Sequence, residues 1–197
     1  MLQIRKYFEE RFAISEEDWN IFSSKLHQIE FPKNHVILKA GDTEHYLSFI
    51  EKGLIRFYIP QEEKELTFTF IFENNFYSAY DSFLTQQPSV YQVETLAPTI
   101  LWPIHYNDLQ EVYKGTQIGN FIGRMASEEL FLKKSKREFS LLVDSAEKRY
   151  AELLAEKPEL IQHIPLKYLA SYIGVTPQAL SRIRARIAKK SNWRKTH

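Results

Sequence analysis

Residues 166–187 read LKYLASYIGVTPQALSRIRARI, and this stretch decides the fold of the C-terminal part of the chain. Its first half places apolar side chains three and four positions apart, which is the spacing of one helix face. The sequence therefore predicts a short amphipathic helix of about two turns. The side chains on its apolar face are Leu166, Leu169, Ala170 and Ile173.

A tight turn is predicted after this helix. Gly174 can adopt the positive φ that ends a helix, and Thr176 suits an N-cap because its hydroxyl accepts a backbone N–H. Pro177 suits the first helical position, where its missing N–H costs nothing. A second helix is therefore predicted to begin immediately.

The second helix has two unlike faces. Leu180, Ile183 and Ile187 share one face, and the opposite face is polar, basic and free of acidic residues. Two short helices joined by a glycine-containing turn, with hydrogen-bond donors on the outer face of the second, form a helix-turn-helix. The alternative is an ordinary helical hairpin whose arginines are merely solvated.

Charge favours the first interpretation. Residues 160–197 carry eight Lys and Arg and no Asp or Glu, whereas residues 1–159 carry 18 basic and 25 acidic side chains. A concentrated positive segment is expected where a protein contacts phosphates and releases the counterions of DNA. A generic basic tail would do the same without specificity.

The segment resembles the DNA-reading part of the cyclic-AMP receptor protein and fumarate–nitrate regulator (Crp/Fnr) family of bacterial transcription factors. The family pattern is roughly L-A-x-x-[LIV]-G-[LIV]-[ST]-x-E-x-[LIV]-S-R. Gln178 stands where the family often has an acidic residue, and Pro177 where a basic residue is common. The matching positions are Leu169, Ala170, Ile173, Gly174, Val175, Thr176, Leu180, Ser181 and Arg182.

This resemblance implies which side chains contact double-stranded DNA. Arg182 is the predicted guanine reader, because its guanidinium matches O6 and N7, and Gln178 can pair with adenine. The two departures from the pattern leave the target sequence open. The full predicted set is Thr176, Pro177, Gln178, Ser181, Arg182, Arg186, Lys189 and Lys190.

Composition excludes several other classes of protein. The chain has no cysteine, which excludes disulfides, zinc fingers built on cysteine and cysteine-bound iron–sulfur clusters. No apolar run is long enough for a membrane span, and the N-terminus does not read as a signal peptide. The sequence therefore predicts a cytoplasmic protein without membrane contact.

Nothing in the sequence predicts an enzyme. The six histidines are scattered without the spacing that seats a metal, and the common nucleophile, phosphate-loop and dinucleotide motifs are missing. His45 with Asp42 and Glu44 is the single acid–imidazole cluster, and we expect it to be solvated in a turn. We therefore predict no catalytic residue, no metal site and no cofactor.

Between Phe31 and Pro103 the hydrophobic period changes to two, which is typical of β-strands. One face of a half-buried strand is predicted to carry four apolar side chains: Leu66, Phe68, Phe70 and Phe72. Six or more short strands predict a β-roll or a sandwich. The predicted strands are His35–Ala40, Tyr46–Glu51, Leu54–Pro60, Lys64–Phe72, Tyr91–Leu96 and Thr99–Pro103.

This region resembles the cyclic-nucleotide-binding domain of the Crp/Fnr family. In nucleotide-binding relatives, a Gly-Glu pair, a short helix and an Arg-Ser or Arg-Thr pair hold the ligand. By alignment, Ser78-Ala79 and Ser89-Val90 stand at these positions, so both charged contacts are missing. Tight binding of cyclic AMP is not expected, because a buried phosphate would be poorly compensated. The resemblance rests on Gly41, the run Leu47–Ile50, Gly53 and Ile55-Arg56.

Aromatic and hydroxyl-bearing side chains remain in the same region. Aromatic residues at alternating positions ordinarily fill a core, and this is the favoured interpretation. The second interpretation is a pocket for a lipophilic or aromatic small-molecule effector. Its residues would be Phe70, Phe72, Tyr77, Tyr80, Asp81, Ser82 and Tyr91.

A long helix is predicted from Asn107 to Leu142, with glycines at 115, 119 and 123 that allow the β-roll or another chain to approach closely. In the resembled family the equivalent helix pairs with its twofold mate, and a homodimer suits half-sites about 34 Å apart in a pseudo-palindromic operator. The alternative is a helix packed only within its own chain. The predicted dimer residues are Ile118, Ile122, Met125, Leu132 and Phe139.

The flanking segments are predicted to be helical. Met1–Ile29 should form two helices, the second capped by Ser15, and Ser145 should cap a helix over Ala146–Glu156. Little chain remains for the β-hairpin wings found in winged versions of this fold, so a trimmed wing is expected.

The predicted chain is α+β. It has a double-stranded β-helix, or jelly-roll-like β-roll, sensor domain at 1–106, a connecting and dimerisation helix at 107–143, and a reduced winged helix-turn-helix at 144–197. The predicted function is sequence-specific transcription regulation of the Crp/Fnr type, with RNA polymerase as an implied partner. The alternative is a small-molecule-binding β-roll protein whose basic tail serves a protein partner or non-specific nucleic-acid contact.

Overall fold

The computed structural model describes residues 1–11, 13–62, 64–116, 119–156, 158 and 164–196. For Ile122, Glu156 and residues 190–196 it describes the backbone alone.

Two short helices begin the chain, as predicted: α1 (Leu2–Glu9) and α2 (Glu16–Ser23). The helical region ends before the predicted limit at Ile29, which is the first residue of a strand. The Ser15 hydroxyl accepts the backbone N–H of Asp18 at 3.0 Å and so caps α2.

The β-roll consists of short antiparallel strands, and each of the six predicted strands is confirmed. Two strands of three residues, one before the predicted series and one between its fourth and fifth members, are not expected from the sequence. The strands are β1 (Ile29–Phe31), β2 (Val36–Leu38), β3 (Tyr46–Lys52), β4 (Leu54–Pro60), β5 (Glu65–Phe72), β6 (Asn75–Tyr77), β7 (Gln92–Thr95) and β8 (Thr99–His105). They form two four-stranded sheets in the orders β1-β8-β3-β6 and β2-β7-β4-β5.

A bulge in the β4–β5 ladder decides which side chains face inward. Phe57 pairs with Thr69, and the next residue, Tyr58, pairs with Thr67. Phe68 is therefore an extra residue without a partner of its own, as in a β-bulge. Beyond the bulge, the alternation of the strand is shifted by one position.

The bulge corrects a prediction made from the sequence. Phe68 packs in the interior of the roll, whereas Phe70 and Phe72 point to the outside of the sheet and pack against the C-terminal helices. The expectation that these three side chains share one face is therefore wrong, because one inserted residue exchanges the two faces of a strand.

The predicted helix over Asn107–Leu142 is divided into α4 (Tyr106–Gly115) and α5 (Gly119–Val143). The backbone of Thr116 is extended, with φ −121° and ψ 147°, which ends α4. A Cβ at Gly119 would lie 2.6 Å from the Cα of Tyr113, so only glycine allows α5 to pass so close to α4. The close approach that the glycines predict is thus found within the chain at this position.

The N-terminal helices and α4 cover one sheet and share a core with it. Helix α4 contributes Leu109 and Val112 to this core, so the first third of the predicted connecting helix packs with the β-roll. The other buried members of the core are Ile4, Phe8, Trp19, Phe22, Leu26, Phe49, Phe83 and Ile104.

Three helices make up the C-terminal part: α6 (Ala146–Glu156), α7 (Leu166–Ile173) and α8 (Pro177–Thr196). The Ser145 hydroxyl accepts the Lys148 N–H at 3.2 Å and caps α6, as predicted. Helix α8 continues to Thr196. The trimmed wing expected between α6 and α7 falls on 159–163, which lie outside the described residues.

A further short helix, α3 in the order of the chain (Tyr80–Thr85), lies between β6 and β7. It occupies the stretch in which the sequence aligns with the nucleotide cassette.

Candidate functional site

The turn between α7 and α8 has the predicted chemistry. Gly174 adopts φ +82° and ends α7, and its N–H and that of Val175 both donate to the Ala170 carbonyl at 2.9 Å. The Thr176 hydroxyl accepts the Ala179 N–H at 3.2 Å and caps the start of α8. The turn therefore fixes the angle between the two helices by local hydrogen bonds.

Helix α8 is amphipathic in the predicted sense. Leu180 and Ile183 are buried against Leu169, Ala170 and Ile173 of α7. The opposite face is exposed. Its exposed side chains are Gln178, Ser181, Arg182, Ala185, Arg186 and Lys189, preceded by exposed Thr176 and Pro177. Arg184 is also exposed, but it lies about 160° around α8 from Arg182. Lys190 belongs to α8, but its side chain lies outside the described residues.

One basic side chain on this face is engaged within the chain. Arg186 Nη1 lies 2.8 Å from Glu147 Oε2 at the start of α6. Arg182 and Arg186 both line an open cavity of about 380 Å³, together with Ser145 and Glu147. The acidic side chain of Glu147 thus lies beside the basic face, which sequence reasoning from α8 alone does not reveal.

The cassette region has no cation to offer to a phosphate. Residues 76–90 contain neither Lys nor Arg, and Asp81 is their single charged residue. Ala79 is fully buried, and the Ser89 hydroxyl donates to the Tyr91 carbonyl at 2.9 Å. The Tyr91 hydroxyl donates to Asp81 Oδ1. The hydroxyls of Ser89 and Tyr91 and the carboxylate of Asp81 therefore already have hydrogen-bond partners within the chain.

Aromatic rings fill the interior of the roll beside the cassette. Phe57 lies 6.0 Å from Phe68, 6.2 Å from Tyr77 and 5.9 Å from Tyr91, measured between ring centroids. Burial raises the pKa of Tyr77 and of Tyr91, so both phenols stay neutral at physiological pH. Phe57 and Phe68 are members of this cluster that the sequence analysis did not single out, because the bulge that turns Phe68 inward cannot be read from alternation.

The structure brings only part of the predicted effector pocket together. Tyr77, Asp81 and Tyr91 surround the aromatic cluster, but Phe70 and Phe72 lie on the other side of the sheet.

Two further predicted pocket residues are used in packing. Tyr80 stacks on Phe83 at 6.1 Å, and its hydroxyl lies 3.4 Å from the Ser127 hydroxyl of α5. The buried Ser82 hydroxyl accepts the Glu44 N–H at 3.0 Å and donates to the Gln87 carbonyl. Both side chains anchor α3 to its surroundings.

Helix α5 presents exposed apolar side chains along one side. Leu132 and Phe139 are 67% and 63% exposed, and Met125 is half-buried. Of the other predicted dimer residues, Ile118 lies outside the described residues, and of Ile122 only the backbone is described. Further exposed apolar side chains of α5 are Phe131, Leu142 and Val143 toward the same side and Leu141 on the opposite side.

No group of three or more His, Asp or Glu side chains in the described part of the chain could hold a metal ion. Among the helices described, none combines the length and the apolar character needed to cross a membrane.

Comparison with known proteins relates this architecture to one fold. Residues 28–116 match the family model of the cyclic nucleotide-binding domain. Across 94% of this chain and 88% of the other, the structure is similar to a chain from Eubacterium rectale described as a transcriptional regulator of the crp/fnr family, with a TM-score of 0.68 and 17% identity. The chain has the Crp/Fnr fold.

Two further solved structures have the Crp/Fnr fold in common with this chain. FixK2 from Bradyrhizobium japonicum gives a TM-score of 0.71 at 15% identity, over 84% of this chain and 86% of FixK2. A CooA mutant from Carboxydothermus hydrogenoformans gives 0.70 at 13% identity, over 92% of this chain and 82% of CooA. No curated protein sequence matches the chain. The predicted resemblance to the Crp/Fnr family is thereby confirmed, and at these identities the likeness is one of fold.

Proposed function

We propose that this chain is a sequence-specific DNA-binding transcriptional regulator of the Crp/Fnr type that acts as a homodimer. The observation that carries the proposal is the outer face of α8. Residues 177–196 contain seven basic and no acidic residues, and the described polar side chains of that face are exposed while the apolar face is buried. A helix of this kind suits the major groove, where it can contact base edges and phosphates.

Roles follow from side-chain chemistry. Arg182 would donate two hydrogen bonds to O6 and N7 of guanine, and Gln178 would pair with adenine. Arg186, Lys189 and Lys190 would contact phosphates, and Thr176, Pro177 and Ser181 would lie at the backbone of the duplex. Phosphate contacts position the helix, and base contacts supply the specificity.

The homodimer would form along α5. Exposed leucine and phenylalanine side chains on a helix of 25 residues are an apolar surface that water disfavours, and a second copy can cover it. Twofold symmetry would then present two α8 helices to a pseudo-palindromic operator.

The β-roll would not sense cyclic AMP, because the cassette lacks a cation to offset the phosphate charge. An effector for this domain would be an aromatic or lipophilic molecule that displaces rings of the cluster around Tyr77, Asp81 and Tyr91. The regulator would act in the cytoplasm and would recruit or obstruct RNA polymerase at its operator.

The proposal is tested by fluorescence anisotropy on promoter fragments from the protein's own genome, repeated across salt concentrations. Arg182→Ala should lower the affinity for the preferred fragment by about 1–3 kcal/mol in each half-site, roughly fivefold to 150-fold per half-site, and should relax the preference among fragments. Arg184→Ala removes the same charge from the same exposed helix and is the matched control.

Weak and equal binding to all fragments, with a steep salt dependence and no difference between Arg182→Ala and Arg184→Ala, would contradict base readout. That result would favour the alternative function, in which the basic C-terminal segment gives non-specific contact.

A further inference from the structure

Helix α7 lies along β5, the edge strand of its sheet, and replaces a neighbouring strand there. The Ser171 hydroxyl accepts the backbone N–H of Thr67 at 2.8 Å and donates to the Glu65 carbonyl at 2.9 Å. These are outward-pointing backbone groups of an edge strand, which otherwise remain unpaired or attract another chain. One serine side chain therefore satisfies both groups and ties α7 to the β-roll.

A buried cation reinforces this contact. Arg56 on β4 is 0% exposed, its Nε donates to Glu94 Oε1 at 2.9 Å, and its Nη1 donates to Glu65 Oε2 at 2.8 Å. The guanidinium carbon lies 3.9 Å from the ring centroid of Tyr58 and 3.6 Å from that of Tyr168. Tyr58 belongs to the roll and Tyr168 to α7, so the cation is sandwiched between the two parts of the chain.

The sandwich is well suited to persist. Burial, followed by the nearby Glu94 carboxylate, raises the pKa of Tyr58 to about 12, so this ring stays neutral. The Glu65 and Glu94 carboxylates compensate the Arg56 charge from the roll alone. Tyr168 therefore contributes only the face of its ring. Helix α7 can move away from the β-roll without leaving a buried charge uncompensated.

The C-terminal end of α7 is held by α5 and α6. Arg149 Nε donates to the Ile173 carbonyl at 2.9 Å, and Arg137 donates to the Tyr172 carbonyl. Cations at the last carbonyls of a helix are favoured by its dipole. Because α7 and α8 share one buried core, whatever fixes α7 also fixes the direction of α8.

We propose that Arg56, Tyr168 and Ser171 form an interdomain lock that positions the DNA-reading helix against the β-roll. The DNA-reading part of this inference rests on the proposed function. The lock uses α7 and leaves the outer face of α8 exposed, so the locked arrangement is the one that reads DNA. Arg56 is a positioning residue in this scheme.

The lock also connects the interior of the β-roll with α8 through residues that contact one another. Phe57 and Phe68 of the inner aromatic cluster are the chain neighbours of Arg56 and Thr67 on the outer face. A ligand that moves the inner rings must shift β4 and β5, and this shift changes the distance from Arg56 to Tyr168. Coupling through packed elements with two arrangements is the physical basis of such a switch.

The test uses the full chain and two readouts. In Ser171→Ala and Tyr168→Leu, hydrogen exchange of the peptide that contains Thr67 should become about fivefold to tenfold faster, because Ser171→Ala removes two hydrogen bonds to β5 and Tyr168→Leu removes one ring contact. Tyr168→Phe keeps the ring and is the matched control, which should exchange like the unaltered protein. The thermal unfolding of all variants verifies that they fold.

DNA binding is the second readout. Both lock variants should bind the preferred operator about fivefold more weakly, with an unchanged salt dependence, because no phosphate contact is lost. Unchanged exchange in both variants would overturn the lock, and tighter DNA binding would overturn its positioning role. If the unaltered protein selects no operator while the exchange rises as expected, the lock stands and the proposed function fails.

Discussion

The cassette region of the β-roll (residues 76–90) and the outer face of α8 differ in the charges that they can offer to a phosphate group. Residues 76–90 contain a single charged side chain, Asp81, whereas residues 177–196 contain seven basic and no acidic residues. Both regions keep their backbone geometry, a short helix after β6 in one and a capped helix after Gly174 in the other. If α8 binds DNA and the cassette region does not bind cyclic AMP, as we propose, the side chains rather than the backbone shape decide whether a phosphate binds.

The two regions also differ in what surrounds their polar groups. In the cassette, hydroxyls and carboxylate bond to one another beside packed aromatic rings, so little is left for a ligand to satisfy. On α8 the described polar groups face solvent, with Arg186 and its partner Glu147 as the internal pair. The internal hydrogen bonds of the cassette region stabilise the β-roll, whereas the exposed polar groups of α8 can gain hydrogen bonds and ion pairs by binding a partner.

The largest expected contrast is between two phosphate ligands of the same protein. Cyclic AMP should give no binding heat in a calorimetric titration at millimolar nucleotide, because residues 76–90 contain neither Lys nor Arg to offset the phosphate charge. Operator DNA should bind, and its affinity should fall about a thousandfold between 50 and 200 mM salt if the dimer makes roughly six phosphate contacts. A micromolar or tighter dissociation constant for cyclic AMP would break the comparison.

The second prediction concerns the homodimer, which would present two α8 helices to the DNA. Leu132→Asp should raise the dimer dissociation constant by about a hundredfold, since two copies each lose the burial of a leucine worth about 1.5 kcal/mol or more. Light scattering should then show a species near the chain mass of 23.4 kDa, and operator affinity should fall with it.

Lys134→Glu is the control for this variant, because residue 134 is exposed and lies about 200° around α5 from residue 132. It should leave the dimer intact. A monomer of the unaltered protein at micromolar concentration would remove the homodimer from the proposal.

Local chemistry explains which features could be predicted from the sequence. The caps at Ser15 and Ser145 and the turn at Gly174 depend on residues within a few positions of one another, and all three were predicted where the structure has them. The strand series of the β-roll was predicted for the same reason, since alternation and turn residues are local signals.

Features that depend on distant partners could not be predicted. The bulge at Phe68 appears only when β5 pairs with β4, and it moves Phe70 and Phe72 away from the expected pocket. The sequence identifies Arg56 only as one residue of a predicted strand, because its ring partner Tyr168 lies in the C-terminal helices. The end of α4 at Thr116 is likewise set by how α5 packs back onto it. These are the positions at which tertiary contacts override the local pattern.

The smallest predicted effect concerns Glu147, whose carboxylate pairs with Arg186 on the basic face of α8. Glu147→Gln should strengthen operator binding about twofold to fivefold, because exposed ion pairs are weak and Arg186 would then be available to a phosphate. The affinity should also depend slightly more steeply on salt, by up to about 0.9 in the logarithmic slope for each arginine that gains a contact. Glu152→Gln removes the same charge from α6, where that carboxylate lies 3.8 Å from Lys148, and is the matched control. If both variants strengthen binding equally, the effect is one of net charge, and Arg186 reaches the phosphate despite Glu147. If only Glu147→Gln strengthens binding, the ion pair between Glu147 and Arg186 opposes DNA binding. The α8 face then contains one internal ion pair that competes with the ligand, as the internal hydrogen bonds of the cassette region do.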